Sequence, residues 1–366
     1  ISVRAAEAGF CRGDTRIHLI DTPGHVDFAG EVERCLAALD GVVLVISAME
    51  GVQPQTRFIW QALERMGIPT LLFLNKIDRA GASVERTLDE VRALLSPRLL
   101  VAAEGINVGT DEAAVRPLIP HELDTLWEDA LSAAAEYSPE AEEAFFAGEP
   151  VERETLTGWL REGVAARQLF PVLLGSAKTG AGMEELLDGL CWWLPAGEQG
   201  PEAPLSGVVY RVTHDTMGRG AHLRLFGGTL QNRDTLTRPD GTSAGKVSQI
   251  RRFQGAKAAD LGSLSAGEIG VVYGTDLKVG EVVGQDPGRP ACQLAVPVLT
   301  VRAFPPDPAE LPALAAALSQ LTDEDPLLQL CWVREKGELH LNITGVIQLE
   351  VLTELLAERY GLEVRF

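Results

Sequence analysis

A short polar segment directly follows the first apolar stretch of the chain. The stretch, residues 17–20, has the β-branched and leucine character of a strand. The segment after it, which we call the DTPGH segment, consists of Asp21, Thr22, Pro23, Gly24 and His25. A carboxylate at the end of a strand can hold a Mg²⁺ ion through water, and a glycine lets a backbone N–H approach a terminal phosphate because no Cβ intrudes. The same residue types are common in turns, so this segment alone identifies no function.

A second polar segment follows the apolar run at residues 71–74. This NKID segment consists of Asn75, Lys76, Ile77 and Asp78. The Asp78 carboxylate can accept two hydrogen bonds from N1 and the N2 amino group of guanine, a pair of donors that adenine lacks. The Asn75 amide can reach O6 and N7 of the same base, and the alkyl stem of Lys76 can lie across it. A polar loop after a strand is the alternative, and four residues do not exclude it.

A third segment of this kind follows the apolar run at residues 172–174. This GSAK segment consists of Gly175, Ser176, Ala177 and Lys178, and a backbone N–H within it can donate to O6 of guanine. Each segment by itself is weak evidence for a nucleotide site, but all three lie at the ends of predicted strands. Because ligands bind at the carboxyl ends of strands in open α/β sheets, their joint presence predicts a guanine-nucleotide site.

The elements that position these segments form an alternating pattern in the first half of the chain. Continuous apolar runs predict strands that are buried on both faces of a parallel sheet, and amphipathic stretches between them predict helices. The strands are predicted at residues 17–20, 42–46, 71–74 and 172–174, and the helices at residues 29–39 and 56–66. This order predicts a doubly wound α/β domain. The acidic, alanine-rich residues 97–165, with a helix at 122–137, interrupt the alternation and are interpreted as an insertion.

The second half of the chain predicts two further domains, and a length of 366 residues is expected to give two or three domains in all. Residues 195–204 are rich in proline and glycine and predict a linker. Short strands separated by glycine follow, at residues 207–213, 221–226, 234–237, 245–253 and 270–272, and predict a small antiparallel barrel. After a second break at 286–297, the pattern is strand (298–303), helix (308–321), two strands around residues 336–337, helix (346–359) and strand (362–366). This βαββαβ order predicts a ferredoxin-like domain.

Composition excludes several classes of protein. The net charge of −20 argues against DNA or other non-specific nucleic-acid binding, although local basic patches are compatible with a ribonucleoprotein partner. No apolar run is long enough to span a bilayer, so no membrane association is expected. The cysteines are odd in number, and none lies in a CxxC pair, which predicts reduced thiols in the cytoplasm and no zinc site. They are Cys11, Cys35, Cys191, Cys292 and Cys331.

The three segments resemble the third, fourth and fifth sequence boxes of GTPases. With their longer context, residues 20–28 and 31–34, they are similar to translational GTPases of the elongation factor G type. Residues 51–57 and 67–70 look closer to the tetracycline-resistance ribosomal protection proteins. Elongation factor G itself is expected to have a methionine where Ile77 stands and different residues around Thr56 and Arg57. The resemblance covers the whole chain: residues 205–288 look like the second-domain barrel of the family, and residues 297–366 look like its third domain.

This resemblance implies a multidomain fold and a function. The expected domains are a P-loop-type GTPase domain at residues 1–196 with a helical insertion near 97–165, an antiparallel β-barrel at 201–290, and a ferredoxin-like α+β domain at 296–366. The implied protein is a monomeric, ribosome-dependent GTPase of the cytoplasm that releases tetracycline from the ribosome. An elongation factor G-like translocase and a non-hydrolysing module that binds the ribosome are the alternatives.

The resemblance also implies roles for individual residues. The ligands would be GTP or GDP and Mg²⁺, with Asp21 holding the ion through water. Gly24 would contact the γ-phosphate, and His25 would orient the attacking water and stabilise charge, since a neutral imidazole is a poor base for water. Asn75 and Asp78 would bind guanine. The remaining predicted nucleotide contacts are Thr22, Pro23, Lys76, Ile77, Ser176, Ala177 and Lys178.

Two departures from the family pattern bear on activity. The phosphate-binding box GxxxxGK[ST] is absent from the sequence, and Ser2 stands where the family has the threonine that binds Mg²⁺. A strand that leads to this box would normally lie between the strands at residues 17–20 and 42–46, so we expect a segment upstream of Ile1 that supplies it. Phe366 stands where the third domain of the family ends. The 366 residues alone are therefore expected to be inactive.

Overall fold

The structure, a computed structural model, describes residues 5–119, 123–148, 150–195, 197, 200–254, 257–289 and 296–366. The chain folds as two compact units. The barrel unit comprises the described residues of Ile1–Phe10, Arg16–Ala38 and Gly197–Phe366, and the α/β unit comprises those of Cys11–Thr15 and Leu39–Ala196. The predicted linker at 195–204 and break at 286–297 include residues outside the described ones, and the domain boundaries stay predictions.

The first strands of the chain form a two-stranded sheet. These are β1 (Ala6–Arg12) and β2 (Thr15–Asp21), and they are followed by a 3-10 helix (Val26–Phe28) and α1 (Ala29–Leu36). The prediction of a buried parallel strand at residues 17–20 is wrong, because β2 pairs with β1 and Leu19 is 44% exposed. Four apolar residues do not distinguish a central parallel strand from one strand of a short ribbon. The turn at Gly13, whose φ of 55° suits glycine, favours the ribbon.

A four-stranded parallel sheet forms the centre of the α/β unit. Its strand order is β3-β4-β8-β5, and all of its pairings are parallel. The elements of this part of the chain are β3 (Val42–Ser47), α2 (Pro54–Met66), β4 (Thr70–Asn75), α3 (Val84–Leu94), β5 (Leu99–Val101), β6 (Ala103–Ile106), β7 (Ala114–Pro117), α4 (Trp127–Ala135), α5 (Pro139–Ala147), α6 (Arg153–Ala165), β8 (Phe170–Leu174) and α7 (Met183–Trp193).

The exposure of the strands follows their place in this sheet. All of β8 is buried, and so is β4 apart from its last residue, as expected for central strands with continuous apolar runs. At the edge, β3 alternates, and Val45 is 55% exposed. The interruption predicted near 97–165 begins inside the sheet, because β5 pairs with β8. The helix predicted at 122–137 is divided into a 3-10 helix (Leu123–Leu126) and α4, and Glu122 lies outside the described residues.

Antiparallel strands around one apolar core form the second domain, as predicted. The strands are β9 (Ser206–Asp215), β10 (Gly218–Gly227), β11 (Thr229–Gln231), β12 (Thr235–Thr237), β13 (Ser243–Gln254), β14 (Lys257–Leu261), β15 (Ser263–Ser265), β16 (Ile269–Thr275) and β17 (Val282–Gly284). The main path is β12-β13-β16-β10-β9-β17. Its two end strands, β12 and β17, contact each other, so the sheet curves into a barrel.

The last part of the chain follows the predicted ferredoxin-like order as far as its second helix. Its elements are β18 (Leu299–Ala303), α8 (Leu311–Glu324), β19 (Cys331–Val333), β20 (Glu338–Ile343) and α9 (Ile347–Tyr360). The sheet order is β18-β20-β19, and both pairings are antiparallel. The strand predicted at 362–366 is reduced to a single bridge between Phe304 and Arg365, next to the end of β18. Within the described ranges, none of the helices combines the length and apolar character needed to cross a membrane.

Candidate functional site

The predicted site residues are distributed over both units. The NKID and GSAK segments belong to the α/β unit, and the DTPGH segment belongs to the barrel unit. The first two segments form one loop cluster at the carboxyl ends of two neighbouring strands, β4 and β8. The third segment follows β2 and leads into α1.

Hydrogen bonds to Asn75 join the NKID and GSAK segments. The Asn75 Oδ1 atom accepts from the backbone N–H of Lys76 at 2.7 Å and from that of Ala177 at 3.0 Å. Lys76 has a φ of 64°, in the left-handed region that a lysine rarely adopts. These two bonds use the acceptor of the Asn75 amide. Its Nδ2 group therefore remains as the donor for a ligand.

Backbone hydrogen bonds also connect the NKID and GSAK segments. Ile77 is fully buried, and its N–H donates to the Gly175 carbonyl at 3.3 Å. The Gly175 N–H in turn donates to the Leu74 carbonyl at 2.9 Å. A Cβ at Gly175 would lie 2.5 Å from the Ala181 carbonyl oxygen and 2.6 Å from the ring of Phe73. A side chain at this position would therefore clash with the Ala181 backbone and with the Phe73 ring of β4.

Asp78 is a buried carboxylate with one oxygen that has no hydrogen bond to the described part of the chain. The residue is 4% exposed, and among the described residues its Oδ2 atom has no hydrogen-bond partner. The hydrogen bond from the Ser176 side chain lowers the pKa of Asp78 below its ordinary value, so the carboxylate is charged at neutral pH. The Lys178 Nζ atom lies 3.9 Å from Oδ2. A buried charged oxygen without a donor is costly unless a ligand supplies one.

Glu50, a neighbour of the loop cluster, was not identified from the sequence. Glu50 lies three residues after β3, and its Oε2 atom is 3.3 Å from Lys76 Nζ. Hydrogen bonds from the side chains of Lys76 and Ser47 lower the pKa of Glu50. The pair places the lysine stem beside the loop. No spacing rule connects residues 50 and 76, so only the fold brings them together.

The DTPGH segment is an extended turn in the barrel unit. Asp21 is the last residue of β2 and is exposed, whereas Pro23 is buried. A Cβ at Gly24 would meet nothing within 4 Å, so one side of the turn is open. Among the residues that the structure describes, no group of three or more acidic, histidine or cysteine residues could hold a metal ion. Ser2, the other predicted Mg²⁺ ligand, lies outside the described residues.

The His25 ring is held by the residues that follow it. The Asp27 backbone N–H donates to His25 Nδ1 at 3.2 Å, and the Phe28 ring lies 6.2 Å from the imidazole, measured between centroids. Because Nδ1 acts as an acceptor, we assign the proton of the neutral imidazole to Nε2. Nε2 is then a donor, which can orient a water molecule or stabilise an anionic oxygen.

Comparisons with known proteins agree with the resemblance found in the sequence. The model of the elongation factor Tu GTP binding domain matches residues 1–196, and that of elongation factor G domain III matches residues 294–366. The chain is similar over its whole length to three named proteins. They are tetracycline resistance protein TetP of Clostridium perfringens (34% identity), an oxytetracycline resistance protein of Streptomyces rimosus (38%) and elongation factor G 2 of Streptomyces coelicolor (32%).

The chain covers only part of each of these relatives. It spans 56% of TetP, 57% of the oxytetracycline resistance protein and 60% of elongation factor G 2. A crystal structure of a Thermus thermophilus protein matches all of the chain with a TM-score of 0.85 and 28% identity, and the chain covers 59% of that structure. The multidomain fold class predicted from the sequence is therefore confirmed.

Proposed function

Because the chain belongs to the family of the elongation factor Tu GTP-binding domain, we propose that it is the nucleotide-binding part of a ribosome-dependent GTPase. Its substrate is GTP, which is hydrolysed to GDP and phosphate. The loop cluster of the α/β unit binds the guanine base. The DTPGH segment of the barrel unit takes part in hydrolysis.

The state of Asp78 is the observation that carries this proposal. Its Oδ2 atom is buried, charged and without a hydrogen-bond donor among the described residues, and it lies in the same loop cluster as the donor group of the Asn75 amide. Guanine supplies two donors for a carboxylate at N1 and N2, and an acceptor at O6. Adenine has no donor at N1 or C2, so it would leave the carboxylate unpaired.

His25 is proposed as the residue that positions the attacking water. With Nδ1 occupied by the Asp27 N–H, the Nε2–H group donates to the water or to the developing negative charge. Removing a proton from water is not required of the neutral ring. The residue thus serves orientation and charge stabilisation, which are the main contributions of a protein to phosphoryl transfer.

Mg²⁺ is proposed as the ion that accompanies the nucleotide. Oxygen donors suit this cation, and the two predicted ligands, the Asp21 carboxylate and the Ser2 hydroxyl, are of that kind. When bound, Mg²⁺ would neutralise charge on the phosphates. Asp21 is exposed at the end of β2, where a carboxylate can hold water around the ion.

The relatives suggest what the GTPase acts on. Two of them are named for resistance to tetracycline or oxytetracycline, so we propose that the protein releases tetracycline from the ribosome. The similarity to elongation factor G 2 supports translocation as a second candidate function. A module that binds the ribosome without hydrolysis is the third.

These candidates differ in two measurements made on the complete gene product. With ribosomes present, GTP turnover should rise by at least about 100-fold over the protein alone, as activated GTPases show. Ribosomes loaded with radiolabelled tetracycline should lose the drug only when GTP and the protein are both added. Turnover without drug release would favour the translocase, and nucleotide binding without turnover would leave only the binding module.

A further inference from the structure

The segment after His25 is bonded to the third, ferredoxin-like domain. The Asp27 carboxylate Oδ2 accepts from the backbone N–H of Ile347, the first residue of α9, at 3.2 Å. The Asp27 carbonyl accepts from the Thr344 hydroxyl at 2.6 Å. The Asp27 side chain is 14% exposed. Both bonds lie within the barrel unit, and they connect positions about 320 residues apart in the chain.

Asp27 supplies a cap that α9 lacks in its own sequence. The residue at the N-cap position is Val346, whose side chain makes no capping hydrogen bond. The first N–H groups of a helix have no partner inside the helix, and Asp is among the best residues for accepting from them. A carboxylate also complements the positive end of the helix dipole. The negative group that α9 needs therefore comes from the segment that carries His25.

Gly345 leaves the space that this carboxylate occupies. A Cβ at position 345 would lie 2.2 Å from Asp27 Cγ and 2.2 Å from its Oδ2. The backbone φ of Gly345 is not in the left-handed region, so alanine is compatible with the backbone there. An alanine at this position would displace the Asp27 carboxylate, whose atoms are the nearest to the added Cβ.

A second set of bonds makes the same connection through α1. Arg34 Nη1 donates to Asp325 Oδ1 at 2.8 Å. Gln348, in the first turn of α9, donates from Nε2 to Asp325 Oδ2 at 3.1 Å. The third domain thus contacts the segment at both ends, at Asp27 and at Arg34. A shift of this domain would move residues 27–34 with it.

Asp27 also holds the His25 ring. Its backbone N–H donates to Nδ1 at 3.2 Å, so the position of the Asp27 backbone sets the position of the ring. We propose that Asp27 is a positioning residue, which couples the third domain to hydrolysis by joining the His25 ring to the N-terminus of α9. This coupling rests on the role proposed above for His25. Docking of the third domain fixes the ring, and loss of the cap releases it.

The test uses four variants of the complete gene product: Asp27→Ala, Asp27→Asn, Gly345→Ala and the double variant Asp27→Ala/Gly345→Ala. Ribosome-stimulated kcat should fall roughly 10-fold to 100-fold in Asp27→Ala, because small misplacements of a reacting group cost about that much. Asn is also a good cap, so Asp27→Asn should recover most of the rate. Gly345→Ala should slow kcat as Asp27→Ala does. The affinity for a fluorescent GDP should stay within about threefold of wild type, because Asp27 is not proposed to contact the nucleotide.

The double variant and a control glycine separate coupling from damage to the fold. Gly345→Ala acts by displacing the Asp27 carboxylate, so it should have no further effect in the Asp27→Ala background. Gly262→Ala is the matched control, because a Cβ there meets nothing within 4 Å and its φ is not in the left-handed region. It should leave kcat unchanged. Additive losses in the double variant would overturn the proposal.

The His25→Ala variant distinguishes this proposal from the proposed function. If His25→Ala is slow while Asp27→Ala and Gly345→Ala turn over normally, the coupling is wrong and the role of His25 stands. If His25→Ala itself turns over normally, the proposed role of His25 is wrong. A long-range ¹⁵N spectrum of the labelled histidines gives a readout that does not depend on turnover. It should show the Nε2–H form of His25 in the wild type and averaged nitrogen shifts in Asp27→Ala.

Discussion

Replacing Asp78 by asparagine in the complete gene product is expected to change the preferred base from guanine to xanthine. Asparagine presents one acceptor and one donor. Guanine offers donors at both N1 and N2, so one of them would face the Asn donor. Xanthine has a carbonyl at C2 in place of the amino group, so its N1–H and its C2 carbonyl match the acceptor and the donor of asparagine. Affinity for GTP should fall by at least about 100-fold, because the buried charge and one of the two hydrogen bonds are lost and two donors then face each other.

The measurement is a titration with fluorescent GDP, competed by GTP, XTP and ATP. XTP should bind Asp78→Asn better than GTP does, and ATP should compete poorly with both proteins. Asp111→Asn is the matched control, since Asp111 lies 3.8 Å from the same Lys178 Nζ but its side chain is 91% exposed. Its base preference should remain that of wild type. An unchanged preference in Asp78→Asn would remove Asp78 from base recognition.

The second large effect is expected for His25→Ala, and it falls on hydrolysis. Loss of a donor that acts on the attacking water or on developing charge should lower the ribosome-stimulated kcat roughly 100-fold to 1,000-fold. Affinity for GTP should stay within about threefold of wild type, because the imidazole contributes only in the transition state. His25→Gln keeps an N–H donor at a similar reach and should lose less.

Single-turnover hydrolysis with ribosomes in excess measures this effect separately from binding. His340→Ala serves as a control for loss of a histidine, because His340 lies on β20 and hydrogen-bonds Glu338. It should retain wild-type turnover. Normal turnover in His25→Ala, with normal binding, would show that another group orients the water.

The site was predictable where short segments follow buried strands. The runs at residues 71–74 and 172–174 are apolar throughout, as is typical of central parallel strands, and they form β4 and β8. The positions of Asn75 and Gly175 at the ends of these strands could therefore be predicted. Sequence alone also indicated the base-binding chemistry of Asp78. It did not indicate that Ser176 lowers the pKa of that carboxylate or that Lys76 adopts a left-handed φ, because both depend on the approach of two loops about 100 residues apart.

The fold was less predictable at edges and ends. The apolar run in β2 indicated a buried strand, but β2 instead pairs with β1 in a two-stranded sheet whose residues are partly exposed. The strand predicted at 362–366 contributes one bridge, since Leu362 and Val364 serve mainly to cover the core of the third domain. The cap of α9 could not be found from local sequence, because it comes from Asp27. Local patterns carry no information about such distant partners.

Binding of guanine by the loop cluster of the α/β unit can be seen in a crystal structure of the complete gene product with GDP. We expect the Asp78 carboxylate oxygens to lie about 2.7–3.2 Å from N1 and N2 of the base, as in ordinary N–H···O hydrogen bonds. The Asn75 Nδ2 group, which the bond from the Ala177 N–H to Oδ1 leaves available, should face O6 and N7. A base bound away from this cluster, or an Asp78 that makes no contact with bound GDP, would show that the cluster does not recognise guanine.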